Sequence, residues 1–235
     1  MKITNSVAII TGGTGGLGRH IVNKFAERGM KIYVPVRLMR EFDEIFNRKQ
    51  FPDEFRLLKI YAMECDANDN KQVEEFVSNV VKLAGRIDFL INTVGGYYPK
   101  KLLVDTDEDL IIQQMNLNLL STFRFTKNCL KYMSVQKYGR IISIGAKPAI
   151  EITTGKFAYG FTKSGVVQLM KYVNAEHEAD DIKAWTLIPT IIDTPANRLS
   201  MPNADFSKWL KPETIAEKCL EIIGMEKVGE DVILL

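Results

Sequence analysis

Short apolar runs alternate with amphipathic stretches along the whole chain. Seven runs are short and rich in β-branched residues, as is typical of buried strands; they cover residues 7–10, 31–36, 57–63, 87–91, 140–144, 183–188 and 232–235. Between them, apolar residues recur at helical spacing; the predicted helices are one after Gly18, 39–49, 72–83, 107–131, one that carries Tyr159 and runs to about residue 178, and 212–223. The alternation predicts one α/β domain over residues 1–235. We expect a Rossmann-type, doubly wound parallel sheet of about seven strands, with helices on both faces and a substrate loop at about 190–210.

A glycine-rich turn, Thr11-Gly12-x-x-x-Gly16-x-Gly18, follows the first predicted strand and leads into a helix. Strand, glycine turn and helix in this order favour a dinucleotide site over an ordinary turn. Gly12 permits a tight turn, Gly16 lets the backbone approach a pyrophosphate, and Gly18 lets helix and strand lie close together. The N-terminus of the helix then presents N–H groups to the phosphates.

The end of the second predicted strand carries information about the cofactor. In a dinucleotide fold an acid at this place binds the ribose 2′-OH, whereas an arginine suits a 2′-phosphate. Here Val36 occupies the expected acid position and Arg37 follows it. This favours NADP(H), with NAD(H) as the alternative cofactor and a solvated surface arginine as the alternative role for Arg37.

Tyr159 and Lys163 are four residues apart on a predicted helix, so both side chains leave the same face. A phenol beside an ammonium is a suitable acid for reduction of a carbonyl or an imine. The fixed positive charge favours phenolate, so we expect the pKa of Tyr159 to be lowered towards neutrality. The pair alone also occurs by chance on helix surfaces, and the motifs around it decide between the two interpretations.

Composition excludes several classes of function. Apolar residues make up 46% of the 235, and the net charge of +2 is too small to indicate binding to nucleic acid or to a membrane surface. No apolar run reaches the roughly 18 residues that span a bilayer. Cys65, Cys129 and Cys219 are far apart, so we expect reduced core thiols in a cytoplasmic protein. No metal site is predicted.

Together the motifs resemble the short-chain dehydrogenase/reductase family over essentially the whole chain. The pieces that carry the resemblance are the glycine turn, Asp66, Asn92-x-x-Gly95, Asn118 in NLLSTF, Tyr159-x-x-x-Lys163 and residues 189–194. The resemblance implies an NAD(P)(H)-dependent oxidoreductase that acts on a small molecule and assembles as a homodimer or homotetramer.

The resemblance also implies roles for individual residues. Tyr159 is the acid/base, Lys163 holds the nicotinamide ribose and lowers the Tyr159 pKa, and Asn118 holds a water in a proton relay. Asp66 and Asn92 contact the adenosine side, although from the residues alone Asp66 is equally a helix cap and Asn118 a solvated residue. Ile192 and Thr194 bind the nicotinamide amide. The full set implied for the cofactor is Gly12, Thr14, Gly16, Leu17, Gly18, Arg37, Asp66, Ala67, Asn92, Val94, Gly95, Tyr159, Lys163, Pro189, Ile192 and Thr194.

One position departs from the family pattern. The family usually has a serine 13 residues before the tyrosine, and this chain has Ala146 there. Ser143 lies three residues away on a strand and points to the other face, so it is no obvious substitute. Thr153 or Thr154 in the following loop is the remaining candidate.

Dihydropteridine reductase, within the same superfamily, resembles this chain at the departure. The similar segments are Gly145-Ala146-Lys147, Tyr159-Gly160, residues 193–198 and Ser200-Met201-Pro202-x-Ala204-Asp205-Phe206-x-x-Trp209. Three hypotheses follow. The first is reduction of a small carbonyl or quinonoid, pterin-like acceptor. The second is a catalytically weak, cofactor-binding sensor or scaffold. The third is a 3-oxoacyl-type ketoreductase in which a threonine replaces the serine.

Overall fold

The seven predicted strands pair into one parallel sheet in the computed structural model, which describes residues 3–46, 58–98, 100–226 and 229–235. The strand order is β3-β2-β1-β4-β5-β6-β7, so the chain leaves β1 towards one edge and returns at β4 on the other side of β1. The strands are β1 Val7–Thr11, β2 Lys31–Val36, β3 Ile60–Glu64, β4 Phe89–Asn92, β5 Tyr138–Ile144, β6 Asp181–Ile188 and β7 Val232–Leu234. The predicted fold class is confirmed.

Both faces of the sheet are covered, which explains why its strands are continuous apolar runs. On β1, Ala8 and Ile10 pack on one side, while Val7 and Ile9 pack on the other. Helices α1, α2 and α8 contribute to the first core, and α3, α5 and α6 to the second. The helices are α1 Gly18–Glu27, α2 Met39–Ile45, α3 Asn70–Ala84, α4 Glu108–Gln114, α5 Ser121–Gln136, α6 Phe157–Glu176, α7 Pro195–Ser200 and α8 Pro212–Ile223.

Strand and helix ends agree with the prediction to within a few residues, apart from two ends that fall outside the described residues. These are the predicted start of the third strand at residue 57 and the predicted end of the second helix at residue 49.

The three cysteines are buried and free. Among the described helices, none has the length and apolar character needed to cross a membrane.

The predicted helix over residues 107–131 is not a continuous α-helix. A π-helical segment, Met115–Leu120, separates α4 from α5, and α5 runs on to Gln136. A π-turn holds one residue more than an α-turn and often marks a functional site. Asn118 lies in this segment and is fully buried. The predicted long helix is therefore present, but its geometry changes to π-helical around this polar side chain.

The predicted loop at 190–210 is partly ordered by secondary structure. Thr194 caps the short helix α7 by accepting a hydrogen bond from Asn197 N, and a 3₁₀ turn follows at Phe206–Lys208. Arg198 binds Asp193 through two hydrogen bonds and lies over the Phe206 ring, 4.7 Å from its centre. These contacts hold the loop in one arrangement beside the carboxyl end of β6.

Candidate active site

The candidate site lies at the carboxyl edge of the sheet where β1 and β4 are neighbours. Their connections leave in opposite directions, and such a point in an open α/β sheet forms a crevice for ligands. Thr93 ties the two loops together: its N–H donates to Thr11 Oγ1 (3.2 Å) and its hydroxyl to the Thr11 carbonyl (2.6 Å).

The glycine turn packs so closely on the rest of the chain that a Cβ would collide with a neighbour at three of its positions. Gly12 has a φ of +65°, and a Cβ there would lie 2.8 Å from Thr93 Oγ1. A Cβ on Gly18 would overlap the Gly12 carbonyl, and one on Gly16 would lie 2.9 Å from Thr194 Cβ. No side chain caps α1, which begins directly after the turn; there the Arg19 N–H donates to the Gly15 carbonyl and the His20 N–H to the Leu17 carbonyl. This cradle suits a dinucleotide, and the contact with Thr194 brings the nicotinamide-side loop to it.

Lys163 is buried at the centre of the site. Its Nζ donates to the Ile144 carbonyl oxygen at 2.8 Å, at the end of β5. A Cβ on Gly95 would lie 2.9 Å from this Nζ and 2.8 Å from Asn118 Oδ1, so only glycine lets the three approach. Burial lowers the pKa of Lys163 to about 8. Lys163 is therefore still an ammonium at neutral pH, but it loses its proton only slightly above neutral pH.

The pKa of Tyr159 moves in the direction opposite to the prediction. Burial, followed by the nearby Tyr97, raises the pKa of the Tyr159 phenol to about 12. The positive charge of Lys163, one helical turn away, was expected to lower the Tyr159 pKa. Desolvation of the buried phenol, which raises the pKa, is the largest effect in the folded protein. The phenol is therefore fully protonated at neutral pH.

Asn118 uses its carboxamide to hold the loop after β4. Its Oδ1 accepts from Gly96 N (3.0 Å), and its Nδ2 donates to the Gly96 carbonyl (3.1 Å) and to Gln114 Oε1 (3.0 Å). The side chain thus clamps one residue of backbone from both sides. The water relay implied by the resemblance stays a prediction.

On the adenosine side, the predicted residues line the ends of β2, β3 and β4. Arg37 is exposed, and its nearest charged partner is Glu41 at 3.6 Å. Asp66 accepts a hydrogen bond from Asn68 N, while Asp69 caps α3. The carbonyl of Ala67 accepts from Arg124.

Asn92 differs from the other adenosine-side residues. Its side chain is buried, and Nδ2 donates to Ser143 Oγ (3.2 Å) and Thr126 Oγ1 (3.4 Å). The amide nitrogen of Asn92 is therefore engaged inside the protein, and the contact of Asn92 with the adenosine side stays a prediction. The remaining predicted cofactor residues lie around the same edge, Thr14 and Val94 half-buried and Leu17 and Pro189 buried. The Ile192 carbonyl accepts from Asn197 Nδ2 at 2.8 Å.

Two aromatic residues meet beside Lys163, and the sequence alone did not place them together. The ring centres of Tyr97 and Tyr159 are 5.4 Å apart with nearly perpendicular planes, and Lys156 Nζ lies 5.3 Å from the centre of the Tyr97 ring. Gln114, which bonds Asn118, was also missed. The spacing of four residues to Asn118 was its signal, since that spacing puts both on one helix face.

Comparisons with known proteins agree with this geometry. The family described as short chain dehydrogenase matches residues 6–204. A 7alpha-hydroxysteroid dehydrogenase of Paraclostridium sordellii is 29% identical, over 96% of this chain and 87% of that protein. The 3-oxoacyl-acyl-carrier-protein reductase FabG of Thermotoga maritima is 26% identical, over 96% of this chain and 93% of its own.

Solved structures share the fold. An actinorhodin polyketide ketoreductase variant with NADPH has a TM-score of 0.86 and 21% identity, covering 100% of this chain and 97% of that one. ElxO with NADP bound has a TM-score of 0.86 and 22% identity, covering 98% and 97%. The likeness to dihydropteridine reductase stays a prediction. On the family match and the site geometry together, this chain belongs to the short-chain dehydrogenase family and is an NAD(P)-dependent oxidoreductase.

Proposed function

We propose that this protein reduces a small carbonyl or quinonoid, pterin-like acceptor with NADPH, and that Tyr159 donates the proton. The observation that carries the proposal is the buried Lys163, whose Nζ is held by the Ile144 carbonyl where Gly95 and Asn118 converge. A buried ammonium with a single hydrogen-bond acceptor retains donors for further partners. One helical turn away stands a protonated phenol.

Each residue has a distinct task in this reaction. The glycine turn would hold the pyrophosphate, and Lys163 would hold the nicotinamide ribose. The bound cofactor supplies the hydride. Tyr159 gives its phenol proton to the acceptor oxygen or nitrogen as the hydride reaches the neighbouring atom, so the acceptor gains two electrons and two hydrogens. The charge of Lys163 stabilises the phenolate that is left.

NADPH is favoured over NADH because of the end of β2. Among the described residues, the exposed Arg37 pairs only loosely with Glu41, so its guanidinium can turn to a 2′-phosphate without breaking a short ion pair with any of them. Val36 is buried and offers no carboxylate to a free 2′-OH.

The test is oxidation of NADPH and NADH, followed by the loss of their absorbance, with three acceptors: quinonoid dihydropterin, a 3-oxoacyl thioester and a 7-oxosteroid. Tyr159→Phe is measured in parallel. Tyr172→Phe is the matched control, because this tyrosine lies on the same helix with 64% of its surface exposed. Turnover that Tyr159→Phe loses and Tyr172→Phe keeps is the expected result.

Different outcomes identify the two alternatives. Turnover of the thioester alone favours the 3-oxoacyl-type ketoreductase, for which the similarity to FabG is the supporting observation. NADPH binding in a fluorescence titration, with no turnover of these three acceptors, leaves a different acceptor or a cofactor-binding sensor or scaffold, and a panel of ketones and quinones then separates the two. Turnover that survives Tyr159→Phe rejects the assigned proton donor.

The proposal extends to assembly and location. Apolar side chains are exposed along the long helices, among them Phe123 on α5 and Phe157 and Phe161 on α6. We expect them to be covered in a homodimer or homotetramer, which light scattering after gel filtration measures; a monomer would refute this.

The free, buried cysteines are those of a protein in a reducing compartment, for which we propose the cytoplasm.

A further inference from the structure

We propose that the hydroxyl of Tyr97 replaces the absent serine hydroxyl, so that two phenols, Tyr97 and Tyr159, hold the acceptor oxygen between them. The inference rests on the proposed function, since it concerns how an acceptor is held in the same site. It assigns a catalytic residue on the loop after β4 in place of one after β5.

The position after β5 has no hydroxyl to offer. Ala146 is buried, and its carbonyl accepts from Ala149 N. Ser143 is fully buried on the strand, where its hydroxyl donates to Met170 Sδ and accepts from Asn92. It is therefore committed to the core and is not available to a substrate.

The two threonines of the following loop are also poor substitutes. Thr153 and Thr154 are both exposed. The Thr153 hydroxyl donates to the Glu151 carbonyl of its own loop at 3.4 Å. Neither has a contact to Tyr159 in the part of the chain that the structure describes.

Tyr97, in contrast, is in direct contact with Tyr159. The ring centres are 5.4 Å apart and the rings meet edge to face, a geometry that aromatic pairs favour. The hydroxyls of Tyr97 and Tyr159 make no hydrogen bond with any residue that the structure describes, so both remain able to bind an acceptor. Tyr97 is also the second cause, after burial, of the raised pKa of Tyr159, whereas burial alone raises the pKa of Tyr97.

Two further contacts hold Tyr97 in place. The residue before it, Gly96, is clamped at both its N–H and its carbonyl by the carboxamide of Asn118. On the outer side, Lys156 Nζ lies over the Tyr97 ring at 5.3 Å. The ring is therefore positioned from the backbone side and from its face, although half of its surface is exposed.

The chemistry of the pair divides the work between the phenols. When hydride adds to a carbonyl carbon, negative charge develops on its oxygen. Tyr159 transfers its proton to that oxygen. Tyr97 donates a hydrogen bond to the same oxygen and keeps its proton, which is the task of an oxyanion donor.

Rescue by a restored serine is the central test. Tyr97→Phe keeps the ring and removes only the hydroxyl. We expect it to lower kcat about a hundredfold on the acceptor that the enzyme turns over, the size of effect seen when one oxyanion donor is removed, with NADPH affinity unchanged. Ala146→Ser in the same chain restores most of the loss, whereas Ala146→Ser alone changes kcat little. Tyr172→Phe is again the control.

Two kinetic results would overturn the inference. The first is a kcat of Tyr97→Phe within about twofold of the unmodified enzyme. The second is a loss that Ala146→Ser does not restore, since Tyr97 would then act by packing.

A second measurement tests whether the hydroxyls of Tyr97 and Tyr159 are close together, and it needs no turnover. A failure of this inference can therefore be distinguished from a failure of the proposed function. With fluorotyrosine in place of tyrosine, phenols titrate nearer to neutral pH and each gives a fluorine resonance. The Tyr159 resonance is the one missing in Tyr159→Phe. Its pKa should be lower in Tyr97→Phe than in the unmodified chain, because a neighbouring ionisable group has gone. An unchanged pKa shows that the hydroxyls are apart and overturns the inference.

Discussion

Burial of the Lys163 ammonium should cost the fold stability, and replacing it with methionine measures the cost. Its pKa falls from an ordinary 10.5 to about 8 because of burial. A drop of about 2.5 pKa units corresponds to about 3 kcal/mol of penalty on the charged form. Methionine has a similar length and adapts to irregular cores, but it leaves the Ile144 carbonyl without its donor, which costs about 1–3 kcal/mol. The balance favours Lys163→Met by about 1 kcal/mol near neutral pH, while turnover is lost.

The dependence on pH separates the two contributions. The unfolded chain keeps the ordinary pKa, so between about pH 8 and pH 10.5 it binds a proton that the folded chain has released. The contribution of Lys163 to stability therefore rises with pH across this window. The buried cysteines and tyrosines, whose pKa values are raised, act in the opposite direction but do so equally in both proteins, so they cancel in the difference. From about pH 7 to about pH 9 the charge penalty shrinks by about 1 kcal/mol, and the advantage of Lys163→Met should shrink equally.

Urea unfolding of both proteins at these two pH values is the assay. Lys171→Met, an exposed position on the same helix, is the control and should show no such change. An advantage of Lys163→Met that is equal at both pH values would refute the claim that a buried charge destabilises this site.

Three further predictions concern the cofactor and the pH profile. Arg37→Ala should weaken NADPH binding about 10- to 100-fold and leave NADH binding nearly unchanged, as loss of one charge-assisted contact predicts; equal losses in fluorescence titrations of both would contradict the assigned 2′-phosphate contact. Gly18→Ala should abolish measurable NADPH binding and destabilise the fold by about 1–3 kcal/mol because its Cβ overlaps the Gly12 carbonyl; Gly229→Ala, where a Cβ would meet no atom of the described residues within 4 Å, is the control, and equal binding by the two variants would be evidence against the cradle. The kcat/KM for reduction should fall as pH rises above about 8, where Lys163 loses its ammonium; a profile that stays flat to about pH 10 would remove that charge from the reaction.

The sheet was predictable because every strand in its centre is buried on both faces. Such strands must be apolar without interruption, so Ile9 and Ile10, which face different cores, are equally hydrophobic. The glycine turn could be predicted for a similar reason. The backbone at Gly18 lies so close to the Gly12 carbonyl that every residue with a Cβ is excluded. Burial on both faces and close backbone approach each restrict the residue types within a short stretch of chain, so a local pattern in the sequence shows them.

The features that escaped prediction depend on contacts between distant parts of the chain. Asn118 leaves its helix to clamp Gly96, 22 residues earlier, and nothing near Asn118 in the sequence shows it. The meeting of Tyr97 with Tyr159 needs the loops after β4 and β5 to come together. The direction of the Tyr159 pKa was missed because burial, which depends on the whole fold, raises it, and the nearby Tyr97 raises it further.

The π-helical segment Met115–Leu120 implies that this helix tolerates changes of residue better than changes of length. It holds one residue more than the same stretch of α-helix would. Deleting one of its residues would close the segment into ordinary α-helix, which leaves the relative phase of α4 and α5 nearly unchanged but turns side chains inside the segment to new directions. Asn118 would then swing away from Gly96, and Tyr97 would lose its backbone anchor. Among relatives of this chain, a one-residue gap at this point would therefore mark enzymes that hold their substrates differently.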